Sequence, residues 1–251
     1  MSRWVLLRGL TRESRHWGDF PAQLAAATGW PCTLLDLPGN GDQAHTPSPT
    51  DVAGMVAFTR QALQALGMQP PYSVLAMSLG GMVATHWAQQ HPGELARLVL
   101  VNTSMRPHNR LTQRLRPRRW PALAGIAWHW SNPLAVETRV HRLTCNRTDT
   151  LAQDVAAWRA IRLSAPVLAA NAWRQLLAAA RFSARPEAPV CPVLLLSSAQ
   201  DRLVNAVCSA TLARVWQASH RQHPWAGHDL PHDDAPWVCD AVAAWLPSAA
   251  C

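Results

Sequence analysis

Y-S-V-L-A-M-S-L-G-G-M-V-A, residues Tyr72 to Ala84, sets an apolar strand pattern directly against a serine with small neighbours. Ser73 to Met77 has the β-branched and aliphatic content of a short buried strand, and Gly81 to Gln90 has helical periodicity. Ser78 therefore falls at a strand-to-helix turn, where a nucleophile's backbone is strained and bulky neighbours collide with it. Ala76 and Gly80 supply the clearance. The usual pattern has glycine two residues before the serine as well as after it, so Ala76 departs from it by one methyl group. A small-x-Ser-x-Gly string arises readily by chance, and its meaning depends on the rest of the chain.

Trp4 to Leu7, Cys32 to Leu35, Leu95 to Val101 and Pro192 to Ser197 are continuous apolar runs of strand length, and Ser219 to His223 is a candidate final short strand. Helical patterns separate them: His16 to Ala27, a helix to about Leu66 capped by Thr50 or Asp51, Met82 to Gln90 stopped by His91-Pro92-Gly93, Asn205 to Gln217, and Ala235 to Leu246. Strands without polar alternation, each followed by a helix, predict an α/β fold with a mostly parallel sheet of about six strands covered on both faces. Between Asn102 and about Phe182 the pattern changes to arginines, prolines, helical periodicity and five tryptophans (Trp120, Trp128, Trp130, Trp158, Trp173), with no strand. This predicts a helical cap inserted at about 106–181 over the carboxyl edge of the sheet, within a single domain spanning 1–251.

Charge and cysteine usage narrow the class. The net charge of +8 is carried entirely by arginine, since the chain has no lysine, and such one-sided usage also follows from a GC-rich coding sequence. Arg106, Arg110, Arg114, Arg116, Arg118 and Arg119 concentrate it in one segment of the expected cap, and no nucleic-acid motif accompanies them. No run of about 18 apolar residues is present, which excludes a helical membrane span, and the opening apolar stretch is too short for a secretory signal; a cytoplasmic protein is expected. Cys32, Cys145, Cys191, Cys208, Cys239 and Cys251 show no paired spacing, so free thiols are expected rather than a zinc site or a disulfide framework.

The chain resembles the α/β-hydrolases over nearly its whole length, through V-L-L-R-G-L, D-L-P-G-N-G, A-M-S-L-G-G, L-L-L-S-S-A-Q-D-R-L-V and W-A-G-H-D-L-P-H-D-D-A-P. In that family the catalytic order is Ser, then Asp or Glu, then His, and the resemblance implies Ser78, Asp201 and His228. Serine is a poor nucleophile until a histidine takes its proton, and an acid holds that histidine in the working tautomer. Asp201 follows a strand at the edge where function collects in open α/β sheets. Asp36 also ends a strand, but Pro38-Gly39-Asn40-Gly41 after it resembles the family's structural turn. Some members place the acid after the strand that follows the serine helix; here that position reads Val101-Asn102-Thr103. His223 and His232 lack the Gly-His turn of His228 and read as surface or packing residues.

The oxyanion of acyl transfer needs two backbone donors, implied here to be the N–H of Leu79, after the nucleophile, and of Leu10, after the first strand. Arg8-Gly9 stands where the family usually shows His-Gly, leaving the backbone role intact but its support open. The chain opens on the strand before this loop, so the family's first two strands are expected to be absent. The implied activity is hydrolysis of carboxylic esters or thioesters of a small molecule through an acyl-enzyme, with no metal or organic cofactor. A serine argues against the dehalogenases and epoxide hydrolases of this fold, which use aspartate there. The cap arginines read as a solvated face or as a dock for an acidic acyl carrier protein, as in the methyl ester esterase of biotin synthesis. A cofactor-free lyase resembling the menaquinone-pathway enzyme of this fold and a non-catalytic binding protein remain alternatives.

Overall fold

In the computed structural model, which describes residues 3–247, six strands form one sheet in the order β2-β1-β3-β4-β5-β6, every adjacent pair parallel. They are β1 (Trp4–Leu7), β2 (Cys32–Leu35), β3 (Tyr72–Met77), β4 (Leu95–Val101), β5 (Val193–Ser198) and β6 (Ser219–His223). Alternate residues along each strand feed opposite cores, as the pleat requires. Val5, Leu7, Val74, Ala76, Leu98, Leu100 and Leu195 face helices α2 (Val52–Ala65), α3 (Leu79–Gln90) and α9 (Val207–Trp216). Trp4, Leu6, Leu75, Met77, Val99, Val101, Leu194 and Leu196 face α1 (Phe20–Thr28), the short α10 (Leu230–Asp233) and α11 (Ala235–Ala243). Burial on both faces is why the central strands show no polar alternation. The edges differ: β2 is half-buried and β6 is largely exposed and polar.

Two boundaries depart from the sequence pattern. The helix expected from His16 begins as a single 3-10 turn, Ser14–Trp17, which ends at Gly18 with φ of 53°; α1 starts afresh at Phe20 with Pro21 in its first turn. Asp51, rather than Thr50, caps α2 by accepting from the Gly54 N–H at 2.8 Å. Between β4 and β5 the chain forms α4 (Leu111–Arg114), α5 (Trp120–Trp128), α6 (Pro133–Thr144), α7 (Leu151–Ser164) and α8 (Ala169–Arg181). The two ends of this excursion lie side by side, Arg106 bridging to Ser183 and the Ala184 N–H donating to the Arg106 carbonyl at 2.7 Å. The five described cysteines are free thiols, Cys145, Cys208 and Cys239 buried; Cys251 lies outside the described residues. No helix among the described residues is long and apolar enough to cross a membrane.

Candidate active site

The strand order reverses direction between β1 and β3, and the loops leaving these two strands carry Leu10 and Ser78. Ser78 sits at φ 53° and ψ −116°, a conformation side chains avoid, and its surroundings hold it there. Its N–H donates to the Val101 carbonyl at 3.0 Å and its carbonyl accepts from Thr103 Oγ1 at 2.8 Å. Any Cβ at Gly80 would lie 2.6 Å from the backbone oxygens of Leu7 and Arg8, and one at Gly81 would lie 2.7 Å from Thr103. The glycines after Ser78 are thus what let α3 start against the ends of β1 and β4. Ala76 is fully buried in the core beneath α2 and α3, where its methyl group is accommodated beside the turn.

The structure brings the three residues implied as a relay together. His228 Nε2 lies 3.1 Å from Ser78 Oγ, and its Nδ1 lies 2.7 Å from Asp201 Oδ2. The second oxygen of Asp201 accepts from the N–H groups of Leu203 and Val204, at 2.7 and 2.9 Å, so the carboxylate is fixed by its own turn. With Nδ1–H donated to Asp201, Nε2 is left as the acceptor facing the serine hydroxyl. Burial disfavours charge on His228, but the Asp201 carboxylate, by its charge and its hydrogen bond, and then Asp229, outweigh it and raise the pKa above the ordinary histidine value. Leu79 is the first residue of α3, where backbone N–H groups have no intrahelical partner. The Leu10 N–H likewise has no hydrogen-bond partner among the described residues, while the next residue, Thr11, donates its own to Gln175 Oε1 at 2.8 Å. Gly9 brings this loop against the serine: a Cβ there would stand 3.1 Å from Ser78 Cβ.

Residue 5 to residue 235 match the family described as alpha/beta hydrolase fold. The chain belongs to this family. It is 32% identical over 260 residues to "Putative carbamate hydrolase RutD" of Klebsiella pneumoniae (strain 342), an alignment covering 98% of this chain and 92% of that one. A protein of the same name from Caulobacter vibrioides is 28% identical over 258 residues, covering 98% and 90%. Among solved structures, an esterase from Thermogutta terrifontis superposes with a TM-score of 0.77 at 21% identity, over 98% of this chain and 89% of that one, a likeness that speaks for the fold.

In this α/β hydrolase, two side chains that sequence reasoning did not credit with a role hold the histidine loop. The Arg8 guanidinium, standing where the family usually has histidine, makes a two-pronged bond to Asp229, at 3.0 and 2.6 Å, and lies 4.6 Å over the Trp17 ring. Asn102, noted only for lacking a carboxylate, donates to the carbonyls of His228 and Gly227 at 2.8 and 3.2 Å and accepts from the Ser198 N–H at 2.9 Å. Neither link has a local signal, since the partners are 221 and 126 positions away. Asp36, as its turn suggested, is structural: it accepts from the N–H groups of Ser14 and Asp42. His223 is buried, accepts from the Ala226 N–H at 2.9 Å and pairs with Asp234.

Two small cavities meet at Ser78. One, of about 130 Å³, is lined by Ser78, His228, Leu123, Ile126, Val136 and Val140; the other, of about 170 Å³, by Ser78, Leu79, Met82, Leu115, Leu176 and Val204. Both are mainly apolar and well below the 300–1,000 Å³ common for ligand pockets, so they suit short groups. The six clustered arginines between β4 and β5 divide. Arg106 and Arg114 donate to the carbonyls of Arg181 and Ala179, bracing α8, and only Arg114 among the six reaches either cavity. Arg116, Arg118 and Arg119 join Arg202 around a separate groove of about 430 Å³ that borders Asp201. Elsewhere, His141, Cys145 and His232 each offer a ligand atom within 4.8 Å of the others, the one group among the described residues that could hold a metal ion. Asp154 already takes a hydrogen bond from both imidazoles, at 3.1 and 3.0 Å, while His141 Nδ1 is buried with no partner among the described residues; the cluster lies outside the Ser78 cavities.

Proposed function

We propose that this α/β hydrolase is a serine hydrolase that cleaves small carboxylic esters through an acyl-enzyme, with Ser78 as nucleophile, His228 as base and Asp201 as its orienting acid. The observation that carries the reading is the continuous hydrogen-bonded line from Ser78 Oγ through His228 to Asp201 Oδ2, opening on two short apolar cavities. Ser78 Oγ attacks the carbonyl carbon as its proton passes to His228 Nε2; the carbonyl oxygen becomes an oxyanion facing the Leu10 and Leu79 N–H groups. His228 then gives the proton to the departing alkoxide as the C–O bond breaks. A water, deprotonated by the same nitrogen, releases the acid and restores the serine. The imidazolium formed on the way is stabilised by Asp201, in line with the raised pKa.

The relatives' name favours a second substrate class for the same machinery, carbamates, in which the carbonyl carries nitrogen on one side and a carbamoyl-enzyme replaces the acyl-enzyme. An acidic carrier protein docked on the Arg116–Arg119 groove fits the charge there and is a proposal for the partner. The direct test is turnover of p-nitrophenyl acetate, butyrate and an N-methylcarbamate. The reading expects hydrolysis abolished in Ser78→Ala and fluorophosphonate labelling at Ser78; labelling at any other residue would sink the assignment. Faster release from the carbamate than from the acetate would move the substrate class to the second reading.

A further inference from the structure

The 130 Å³ cavity has a charged wall beside its apolar one. Arg12 from the loop after β1, Glu137 from α6 and Arg162 from α7 all line it. Arg12 Nη1 donates to Glu137 Oε2 at 2.6 Å, and Arg162 Nη1 lies 3.5 Å from Glu137 Oε1. Both guanidinium groups lie over rings, Arg12 Cζ at 4.4 Å from the Trp158 centroid and Arg162 Cζ at 4.2 Å from that of Trp130. These are buried charges, the Arg12, Arg162 and Glu137 side chains being 10%, 9% and 2% exposed.

One carboxylate here serves two cations. His16, 2.9 Å from Arg12 Nη1, supplies no counter-charge and is itself kept neutral by burial and by the nearby arginines. The remaining ion pair of the lining, Arg8 with Asp229, balances itself. With His228 neutral, the cavity lining holds three arginines against two carboxylates. Arg12 Nη2 is moreover buried with no hydrogen-bond partner among the described residues. A structural clamp between α6, α7 and the β1 loop accounts for the bonds to Glu137; it accounts for neither the excess cation nor the unused donor. Burying both is costly unless an anion completes them.

We infer that Arg12 and Arg162 form a subsite for a carboxylate carried by the substrate, so that this hydrolase selects short acyl compounds bearing an acid group away from the scissile carbonyl. The inference rests on Ser78 being the nucleophile at this cavity. A carboxylate matches the planar guanidinium fork and supplies the one missing negative charge. A phosphate monoester, with close to two charges at neutral pH, would over-compensate and face Glu137. Discrimination follows from the charge balance, because a neutral group in that place leaves the surplus arginine charge without a counter-charge.

Two matched pairs test this: monomethyl succinate against methyl levulinate places the acid on the acyl side, and acetoxyacetate against acetoxyacetone places it on the alcohol side. The acid of one pair is expected to exceed its neutral partner in kcat/KM by roughly tenfold or more, and which pair does so shows the side. In Arg12→Gln the ratio is expected to fall towards one, and Arg12→Lys, which keeps the charge, to recover part of it. Turnover of both pairs without preference for the acid overturns the subsite and leaves the hydrolase reading standing. If no ester is cleaved, the ester reading fails, and the subsite is read by succinate instead. Succinate is then expected to raise the melting temperature of the native protein more than that of Arg12→Lys, and no shift in the native protein overturns it.

Discussion

The guanidinium of Arg8 and the carboxylate of Asp229 are joined at 3.0 and 2.6 Å, both side chains 3% exposed or less, and Asp229 is the residue after His228. The pair ties the loop that presents Leu10 to the loop that presents His228. Removing one partner leaves a buried uncompensated charge, so Arg8→Met is expected to cost about 3–5 kcal/mol of stability in urea unfolding. Arg8→Met combined with Asp229→Asn removes both charges and is expected to regain most of that loss. If the single variant loses no more stability than the double one, the pair is not a buried charge clamp.

The same pair sets an acid limit. Although burial opposes it, the Arg8 charge and hydrogen bonds hold the Asp229 pKa at about 2, below the ordinary 3.8. A depressed carboxylate contributes stability that is full above the unfolded value and is lost as pH falls through the folded one. The contribution, roughly 2 kcal/mol from a shift of this size, is therefore expected to disappear between about pH 4 and pH 2. Unfolding free energies measured across that range in the native protein and in Arg8→Met check it: the native slope should be steeper.

His228 has the opposite sign. Its pKa is raised, so the imidazolium persists above the ordinary histidine range, and in the proposed relay Nε2 is free to accept the serine proton only at higher pH. The kcat/KM profile is expected to rise with pH through an apparent pKa above 6.5. Asp201→Asn removes the charge chiefly responsible, so its profile should shift to lower pH while the maximal rate drops by about 10⁴-fold, the order seen when a triad acid is replaced. A rise centred at or below 6.5 in the native enzyme contradicts this electrostatic picture.

Gly9 offers a test of how tightly the serine is placed. Its conformation is open to alanine, but the added Cβ would stand 3.1 Å from Ser78 Cβ and 3.6 Å from Ser78 Oγ. Gly9→Ala is expected to fold with a loss of about 1–3 kcal/mol and to lose activity by up to about 100-fold, because a displacement of this kind moves the reacting oxygen. Gly80→Ala meets the backbone of Leu7 and Arg8 at 2.6 Å, which cannot give way, and should fail to fold or be far less stable than Gly9→Ala. Comparison of melting temperatures and kcat separates the two.

What could be read from the chain and what could not divide by the range of the interaction. Ser78 announces itself through neighbours in sequence, since strand, turn and helix are all local to residues 72–90, and the apolar runs of β1, β3, β4 and β5 follow from burial on both faces. The edge strand β6, S-H-R-Q-H, has little apolar content because it is exposed, and its signal was correspondingly faint. Arg8 looked like a departure from a family pattern, and only the folded chain supplies the carboxylate that explains it. The Arg12–Glu137–Arg162 wall has no signature at all, being three single residues on three elements.

Asn102 occupies the other position, after β4, at which the acid of the proposed relay could stand. It sits at φ 45°, a region asparagine and aspartate tolerate better than most residues, so Asn102→Asp is free of backbone strain. Its Nδ2 faces three acceptors, however: the carbonyls of His228 and Gly227 and Ser198 Oγ. The Ser198 hydroxyl could turn and donate to an aspartate there, but the two carbonyl oxygens would face a buried carboxylate oxygen, so Asn102→Asp is expected to cost about 3 kcal/mol or more and to loosen the His228 loop. Because the side chain meets the backbone of His228 and not its ring, the new carboxylate should also fail to replace Asp201. The decisive measurement is the double variant Asn102→Asp with Asp201→Asn. Activity no better than that of Asp201→Asn alone is expected, whereas recovery would mean that the position after β4 can reach His228 Nδ1 in this chain.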